Sequence, residues 1–233
     1  MIVSAKNITK KYGRKHALDD VSLGMDYGQC LGILGKNGAG KSTFIKLILG
    51  LIFPTDGEIS VFGKEPGKQN HHIGFLSENL TIYPHLTAKD NLRVAALSAN
   101  NQLSNNNLEE ILERLSLDGN ERKRAKDFSL GMKRRLQLGM ATMTKPLKLV
   151  VLDEPTNGLD VNGVIWLRKY LSELKEAGTS IVMASHTLSE LEENITHYVV
   201  FDRGKIVHAD AWDKKNTFSL EQKYLDILDR VKL

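Results

Sequence analysis

The stretch CLGILGKNGAGKSTFIKLILGL, residues 30–51, decides the fold. Its opening, Cys30 to Leu34, is an uninterrupted apolar run of strand length, as in a strand covered on both faces. GKNGAGKS, from Gly35 to Ser42, fits the pattern G-x-x-x-x-G-K-[ST]. A helical pattern then begins inside KSTFIKLILGL and stops at Gly50, a C-terminal glycine. Strand, glycine-rich turn and helix in this order aim backbone N–H groups and the positive end of a helix at one point, which suits a phosphate. Side chains at Gly38 and Gly40 would block close approach of the backbone. Lys41 adds a full charge, and the Ser42 hydroxyl can ligate magnesium. The expected cradle comprises Gly35, Lys36, Asn37, Gly38, Ala39, Gly40, Lys41, Ser42 and Thr43. A chance glycine-rich turn is the alternative, and the flanking strand and helix argue against it.

Outward from this stretch, IVSAKNITKKYG and HALDDVSLGMDYG alternate strand-like runs with turns, and GEISVFG and HIGFLS read as further strands. From Lys148, KLVVLDEP and TSIVMAS are apolar strands separated by a helix with Val164, Leu167, Leu171 and Leu174 on one face. HYVVFD and KIVHAD, joined at Arg203-Gly204, predict a hairpin. Ser219 and Gln222 form a capping-box pattern ahead of Tyr224, Ile227, Leu228 and Val231. Between these regions the polar stretch NNQLSNNN, residues 100–107, reads as a loop, followed by a helix with Leu108, Ile111, Leu112 and Leu115 at helical spacing. The expected architecture is α/β, a mainly parallel sheet with an N-terminal antiparallel β subdomain and an inserted helical subdomain. The expected divisions of the single domain are a core of 1–77 and 149–210, helices over 78–148 and a C-terminal helix over 211–233.

The chain has 233 residues, 41% hydrophobic and 26% charged, enough to bury a sizeable core. A net charge of +4 is too thin to imply nucleic acid, and none is expected as a partner. Basic runs at Lys10-Lys11, Arg122–Lys126 and Lys133–Arg135 read first as solvated faces and second as contacts to an anionic ligand or membrane surface. The single cysteine, Cys30, reads as a small buried residue. With neither a signal-peptide layout nor a run of about 20 apolar residues, the sequence predicts a soluble intracellular protein. The sequons at Asn7 and Asn194 then read as chance matches.

LVVLDEP carries Asp153 and Glu154 to the end of a strand, where ligands gather in open sheets. Asp153 suits magnesium, directly or through water, and Glu154 suits a general base for an attacking water. A surface pair before a proline is the alternative reading. Five more features follow: Tyr12 in KKYG, FSLGMKRRL (128–136), NGLD ending at Asp160, Ser185-His186, and IGFLSENLTIYPHLTAKDNL (73–92). In order and spacing these motifs resemble the ATP-binding-cassette family across residues 2–209. By that resemblance Tyr12 stacks on adenine, FSLGMKRRL is the signature motif, NGLD follows the catalytic glutamate and His186 is the histidine switch. Taken alone, Tyr12 could be a half-buried strand tyrosine and His186 an ordinary strand-end residue. Glu78 stands where the family usually has glutamine. An ionised glutamate is acceptor-only, which is compatible with binding metal but not with donating to phosphate. A hinge role is its mechanical alternative.

The resemblance implies an ATPase that uses ATP and Mg2+, with Ser42, Asp153 and Glu78 toward the metal and Glu154, His186 and Glu78 in catalysis. It also implies a head-to-tail dimer with a second copy or a homologous ATPase subunit. In that dimer Ser129 and Gly131 of one protomer cap the γ-phosphate held by the other, and Asp160 couples the two sites. The SLGMK spelling, Glu78 and the helix SLEQKYLDIL resemble the bacterial subgroup that exports bacitracin, lantibiotics and related peptides. Such a subunit works with integral membrane permease subunits at the inner face of the cell membrane, and Tyr83, Pro84 and His85 are the candidate docking groove. A soluble ATPase of the same family and a non-hydrolysing nucleotide-gated regulator are the competing functions.

Overall fold

The computed structural model describes residues 1–231 except Leu80, Gln102, Glu121, Lys214, Asn216 and Thr217, with only the backbone of Val231. In chain order the elements are β1 (Val3–Tyr12), β2 (Lys15–Met25), β3 (Cys30–Leu34), α1 (Lys41–Ile48), β4 (Asp56–Val61), β5 (Ile73–Leu76), α2 (Ala88–Ser98) and α3 (Asn105–Arg114). They continue as α4 (Leu130–Ala141), β6 (Leu149–Asp153), α5 (Val161–Glu176), β7 (Ser180–Ala184), α6 (Leu188–Glu192), β8 (His197–Asp202), β9 (Lys205–Ala211) and α7 (Leu220–Val231). The chain forms two compact units, residues 1–70 with 171–233, and residues 71–170.

In the first unit β1 pairs antiparallel with β2 and β4, with Val3 opposite both Met25 and Val61. Every residue of β3 is buried, and β3 lies parallel between β7 and β8. A strand flanked this way has no solvated face, which is why its sequence shows no alternation. β9 closes the edge antiparallel to β8 through a turn whose central residues, Arg203 and Gly204, both have positive φ (47° and 82°). The ring of Phe44 of α1 lies 5.5 Å from that of Phe201 of β8, tilted by 43°, and both are fully buried. Cys30 is likewise fully buried. At the start of α7, Gln222 N donates to Ser219 Oγ at 3.2 Å and Ser219 N to Gln222 Oε1 at 3.0 Å, the expected capping box. Ile227 and Leu228 of α7 are buried, while the side chain of Val231 lies outside the described residues.

In the second unit β5 and β6 pair in parallel, with Leu76 opposite Leu152. Leu92, Leu108, Leu112, Leu115 and Leu136 are fully buried or nearly so, each worth about 1.5–3 kcal/mol of transfer free energy. Ile111 is half-buried. The polar run at 100–107 is not all loop. Ser104 caps α3, accepting from Asn107 N while the Asn107 side chain accepts from Ser104 N, so Asn105–Asn107 form the first helical turn. Asparagine side chains satisfy the donors that a helix start leaves open, and periodicity alone does not register that.

Candidate functional site

The loop after β3 carries three glycines at positive φ: Gly35 (148°), Gly38 (79°) and Gly40 (114°). Gly40 is the N-cap of α1, whose first turn holds no acidic residue. The positive end of the helix therefore faces out through the loop unopposed by a side chain of its own. Lys41 is only 8% exposed, and its ammonium donates to the carbonyls of Gly35 (2.6 Å) and Lys36 (3.3 Å). Ser42 is exposed, Thr43 is half-buried, and Lys36, Asn37 and Gly38 are exposed. The loop is braced from behind, with Gly204 N donating to Ala39 O and Asp19 N to Gly204 O, both at 2.9 Å. A charge pair at 3.1 Å joins Asp19 to Lys205, and Lys205 first, then His16, hold the Asp19 carboxyl below its ordinary value.

The two inner glycines serve different needs. A Cβ on Gly40 would lie 2.8 Å from Leu18 Cδ2 and 2.9 Å from Ala17 O, so the chain's own packing excludes it. A Cβ on Gly38 would meet nothing within 4 Å, and only its left-handed backbone disfavours a side chain. Gly40 is thus required by its packing against Leu18 and Ala17, a cause that the sequence does not display.

Ile33 of β3 faces Ala184 of β7, so the glycine loop and Ser185-His186 leave neighbouring parallel strands at the same end. Ser185 is buried, with its hydroxyl accepting from Thr187 N at 3.1 Å, and His186 is exposed. Tyr12, at the end of β1, is 52% exposed rather than half-buried, with Lys10 Nζ 5.4 Å from its ring centroid.

In the second unit the β5–β6 register brings Ser77-Glu78 and Asp153-Glu154 off adjacent strand ends. Asp153 and Glu154 are half-buried and Glu78 is exposed. Glu154 has φ of 52°, a left-handed conformation that costs a non-glycine residue about 1–2 kcal/mol. These segments converge on Arg134, which is only 2% exposed. Its guanidinium donates to the carbonyls of Ser77 (2.8 Å), Glu78 (3.1 Å), Asp153 (3.4 Å), Pro155 (3.4 Å) and Glu154. It also donates to Gln137 Oε1 at 3.0 Å. Gln137 in turn donates to Asn79 O at 2.7 Å and Thr81 Oγ1 at 3.1 Å. Burial lowers the pKa of Arg134, while the Asp153, Glu78 and Glu154 carboxylates raise it in opposition.

The reading of Lys133–Arg135 as a solvated face is therefore wrong at Arg134. A planar cation with five donors is tolerated inside because backbone carbonyls accept its hydrogen bonds. Arg134 lies three and four residues before buried Gln137 and Leu138, so helical phase could have placed it on an inward face. The run Arg122, Lys123, Arg124 and Lys126 is exposed, as expected of a solvated face.

Ser129 is the N-cap of α4, exposed, its hydroxyl accepting from Met132 N at 3.2 Å. The first turn of α4 has no acidic residue. Apart from its chain neighbours and its own helix backbone, a Cβ on Gly131 would come no nearer than 3.6 Å (Gly158 O) to a described residue, ordinary contact distance. Asp160 accepts from Gly163 N at 2.7 Å and so caps α5. Tyr83, Pro84 and His85 are exposed on a loop held by Asn91, which is fully buried and bonded to Tyr83 N (2.8 Å) and Tyr83 O (3.0 Å). Among the described residues no three His, Cys, Asp or Glu side chains form a metal-binding group. The Ser42 hydroxyl and the Asp153 and Glu78 carboxylates are hard oxygen donors, the kind magnesium takes singly while keeping water and phosphate ligands. No helix among the described residues is long and apolar enough to cross a membrane.

A glycine cradle at a helix N-terminus on a parallel sheet, with strand-end carboxylates in a second unit, defines a P-loop nucleoside-triphosphate hydrolase. The family model described as ABC transporter matches residues 18–157, and the chain belongs to that family of ATPases. Over 212 residues it is 39% identical to the bacitracin transport ATP-binding protein BcrA of Enterococcus faecalis, covering 88% of this chain and 68% of that protein. It is 34% identical over 213 residues to the lantibiotic transport ATP-binding protein SrtF of Streptococcus pyogenes, covering 91% and 92%. A solved ATP-binding subunit of an ABC transporter superposes with a TM-score of 0.87 at 27% identity, covering 98% of this chain and all of that one. A dimeric cassette in a post-hydrolysis state with ADP and Pi shares the fold, with a TM-score of 0.81 at 23% identity over 91% of this chain and 99% of that one.

Proposed function

We propose that the chain is the ATP-hydrolysing subunit of an exporter, working as a dimer that closes around two ATP molecules. Gly131 carries the dimeric part of this reading. It lies in the first turn of α4, where glycine is a poorer helix former than alanine, and among the described residues packed against it none would crowd a Cβ. Beside an exposed Ser129 cap, on a helix start without an acidic residue, a bare backbone suits close approach to an anion from outside. In a head-to-tail pair that anion is the γ-phosphate bound by the partner's Gly35–Thr43 loop. The nucleotide favours closure only by the contacts that triphosphate makes and diphosphate does not.

In this reading Lys41 and the loop N–H groups hold the outer phosphates and Tyr12 stacks on the base. Glu154 accepts a proton from the attacking water, and His186 steadies the γ-phosphate. Asp160 couples the two protomers. Magnesium, held through Ser42, Asp153 and Glu78, would offset phosphate charge. The exposed Tyr83-Pro84-His85 loop offers a surface for membrane permease subunits, which would place the chain at the inner face of the membrane. The names of the BcrA and SrtF relatives support peptide antibiotics or similar compounds as cargo.

Glu154→Gln tests the reading, since the amide keeps the size of the side chain and loses the base. We expect kcat to fall by about 10²–10⁴-fold, with ATP still bound and dimer accumulating with ATP and magnesium in size-exclusion chromatography with light scattering. A variant that stays monomeric under those conditions would overturn the dimeric mechanism.

A further inference from the structure

We infer that Arg134 is a positioning residue for ATP hydrolysis, one that locks the Ser77-Glu78 segment to the Asp153–Pro155 turn and offsets the charge of Glu78. This rests on the hydrolytic reading above. Arg134 donates to carbonyls on both segments from one rigid, buried fork. Gln137, one helical turn later, ties Asn79 and Thr81 to the same helix. The two segments thus share one anchor, and a shift of either alone breaks bonds at the other.

The turn it grips includes Glu154 in a left-handed backbone conformation. A non-glycine residue keeps such a conformation when its surroundings fix it, and Arg134 supplies bonds to its carbonyl and to those on either side. Charge gives the second half of the argument. Arg134 donates to the backbone carbonyl of Glu78 itself at 3.1 Å, which sets the cation beside that residue, and the Asp153, Glu78 and Glu154 carboxylates all act on it electrostatically. A neutral amide at position 78 would remove one of these negative charges beside the Arg134 fork, so positions 78 and 134 should be coupled.

The experiment compares the parent protein with R134Q, R134K, E78Q and E78Q/R134Q, measuring kcat and KM for ATP and amide hydrogen exchange over residues 77–81 and 153–158. R134Q is expected to lower kcat about 10–100-fold with KM within about threefold. R134K, which keeps the charge without the fork, should fall between R134Q and the parent. Adding E78Q to R134Q should change kcat at least about fivefold more favourably than adding E78Q to the parent, because the coupled charge is already unmatched. In R134Q both segments should lose exchange protection together.

Equal effects of E78Q in the two backgrounds, or kcat of R134Q within twofold of the parent, would overturn the inference. So would loss of protection in one segment only. If R134Q does not fold, R134K and E78Q/R134K are judged by the same criteria. A parent protein without ATPase activity would refute the hydrolytic reading instead, and the exchange measurement would still decide whether Arg134 anchors both segments.

Discussion

Alanine at Gly38 and at Gly40 should produce opposite rank orders in two assays. At Gly40 the backbone φ of 114° lies where only glycine is comfortable, a cost of about 1–3 kcal/mol for a side chain. The new Cβ would also press on Leu18, which has no exposed surface to retreat into, and on Ala17 O. Overpacking of that kind adds about 1–3 kcal/mol, for a total of roughly 2–6 kcal/mol. At Gly38 the φ of 79° is close to the left-handed region and the Cβ meets nothing, so the cost is about 1–2 kcal/mol. With about 2–4 °C per kcal/mol at this chain size, nucleotide-free G40A should melt about 4–24 °C below the parent, and G38A about 2–8 °C below. ATP affinity tests the other need. Gly38 is exposed on the loop, so its added methyl group should weaken ATP binding in calorimetry by more than its small stability loss explains. Equal melting temperatures for the two variants would refute the packing argument at Gly40. Unchanged ATP affinity in G38A would refute the claim that its bare backbone serves the ligand.

Two further outcomes are expected. Lys41→Ala removes an ammonium held within the loop, and loss of charge-assisted hydrogen bonds of about 1.5–3 kcal/mol should weaken ATP binding by roughly 10–150-fold in calorimetry; unchanged affinity would mean that the phosphate site lies elsewhere. Burial first and Asp210 second push the Tyr198 phenol from 10.0 up to about 12, so between those values the folded chain holds a proton that the unfolded chain has released. The associated stability, on the order of 2–3 kcal/mol, is fully present below pH 10 and is lost as pH rises toward 12. Its hydroxyl has no hydrogen-bond partner among the described residues, so Tyr198→Phe should flatten that fall in urea titrations and leave neutral-pH stability unchanged or up to about 1 kcal/mol higher.

The features legible in the sequence are those whose cause is local. An apolar run of five residues fixes β3, a glycine spacing fixes the loop, and a Ser219–Gln222 pair fixes the start of α7, because each signal and its consequence lie within one turn or strand. Two kinds of residue escaped. Asn105–Asn107 look like loop because asparagine is a poor interior helix former, yet a cap turns that weakness into a helix start. Arg134 looks like surface because charge predicts solvent, and the carbonyls that hold it inside instead come from residues 77–78 and 153–155. Backbone acceptors are invisible in a sequence, since every residue carries one. A buried cation that they solvate can be found from sequence only through the phase of its helix, and here Gln137 and Leu138 set that phase. Backbone acceptors also explain why the order of motifs identified the family while the anchoring role of Arg134, inside FSLGMKRRL, went unseen. A motif records which residues meet the ligand, whereas Arg134 donates its hydrogen bonds to main-chain carbonyls and to Gln137.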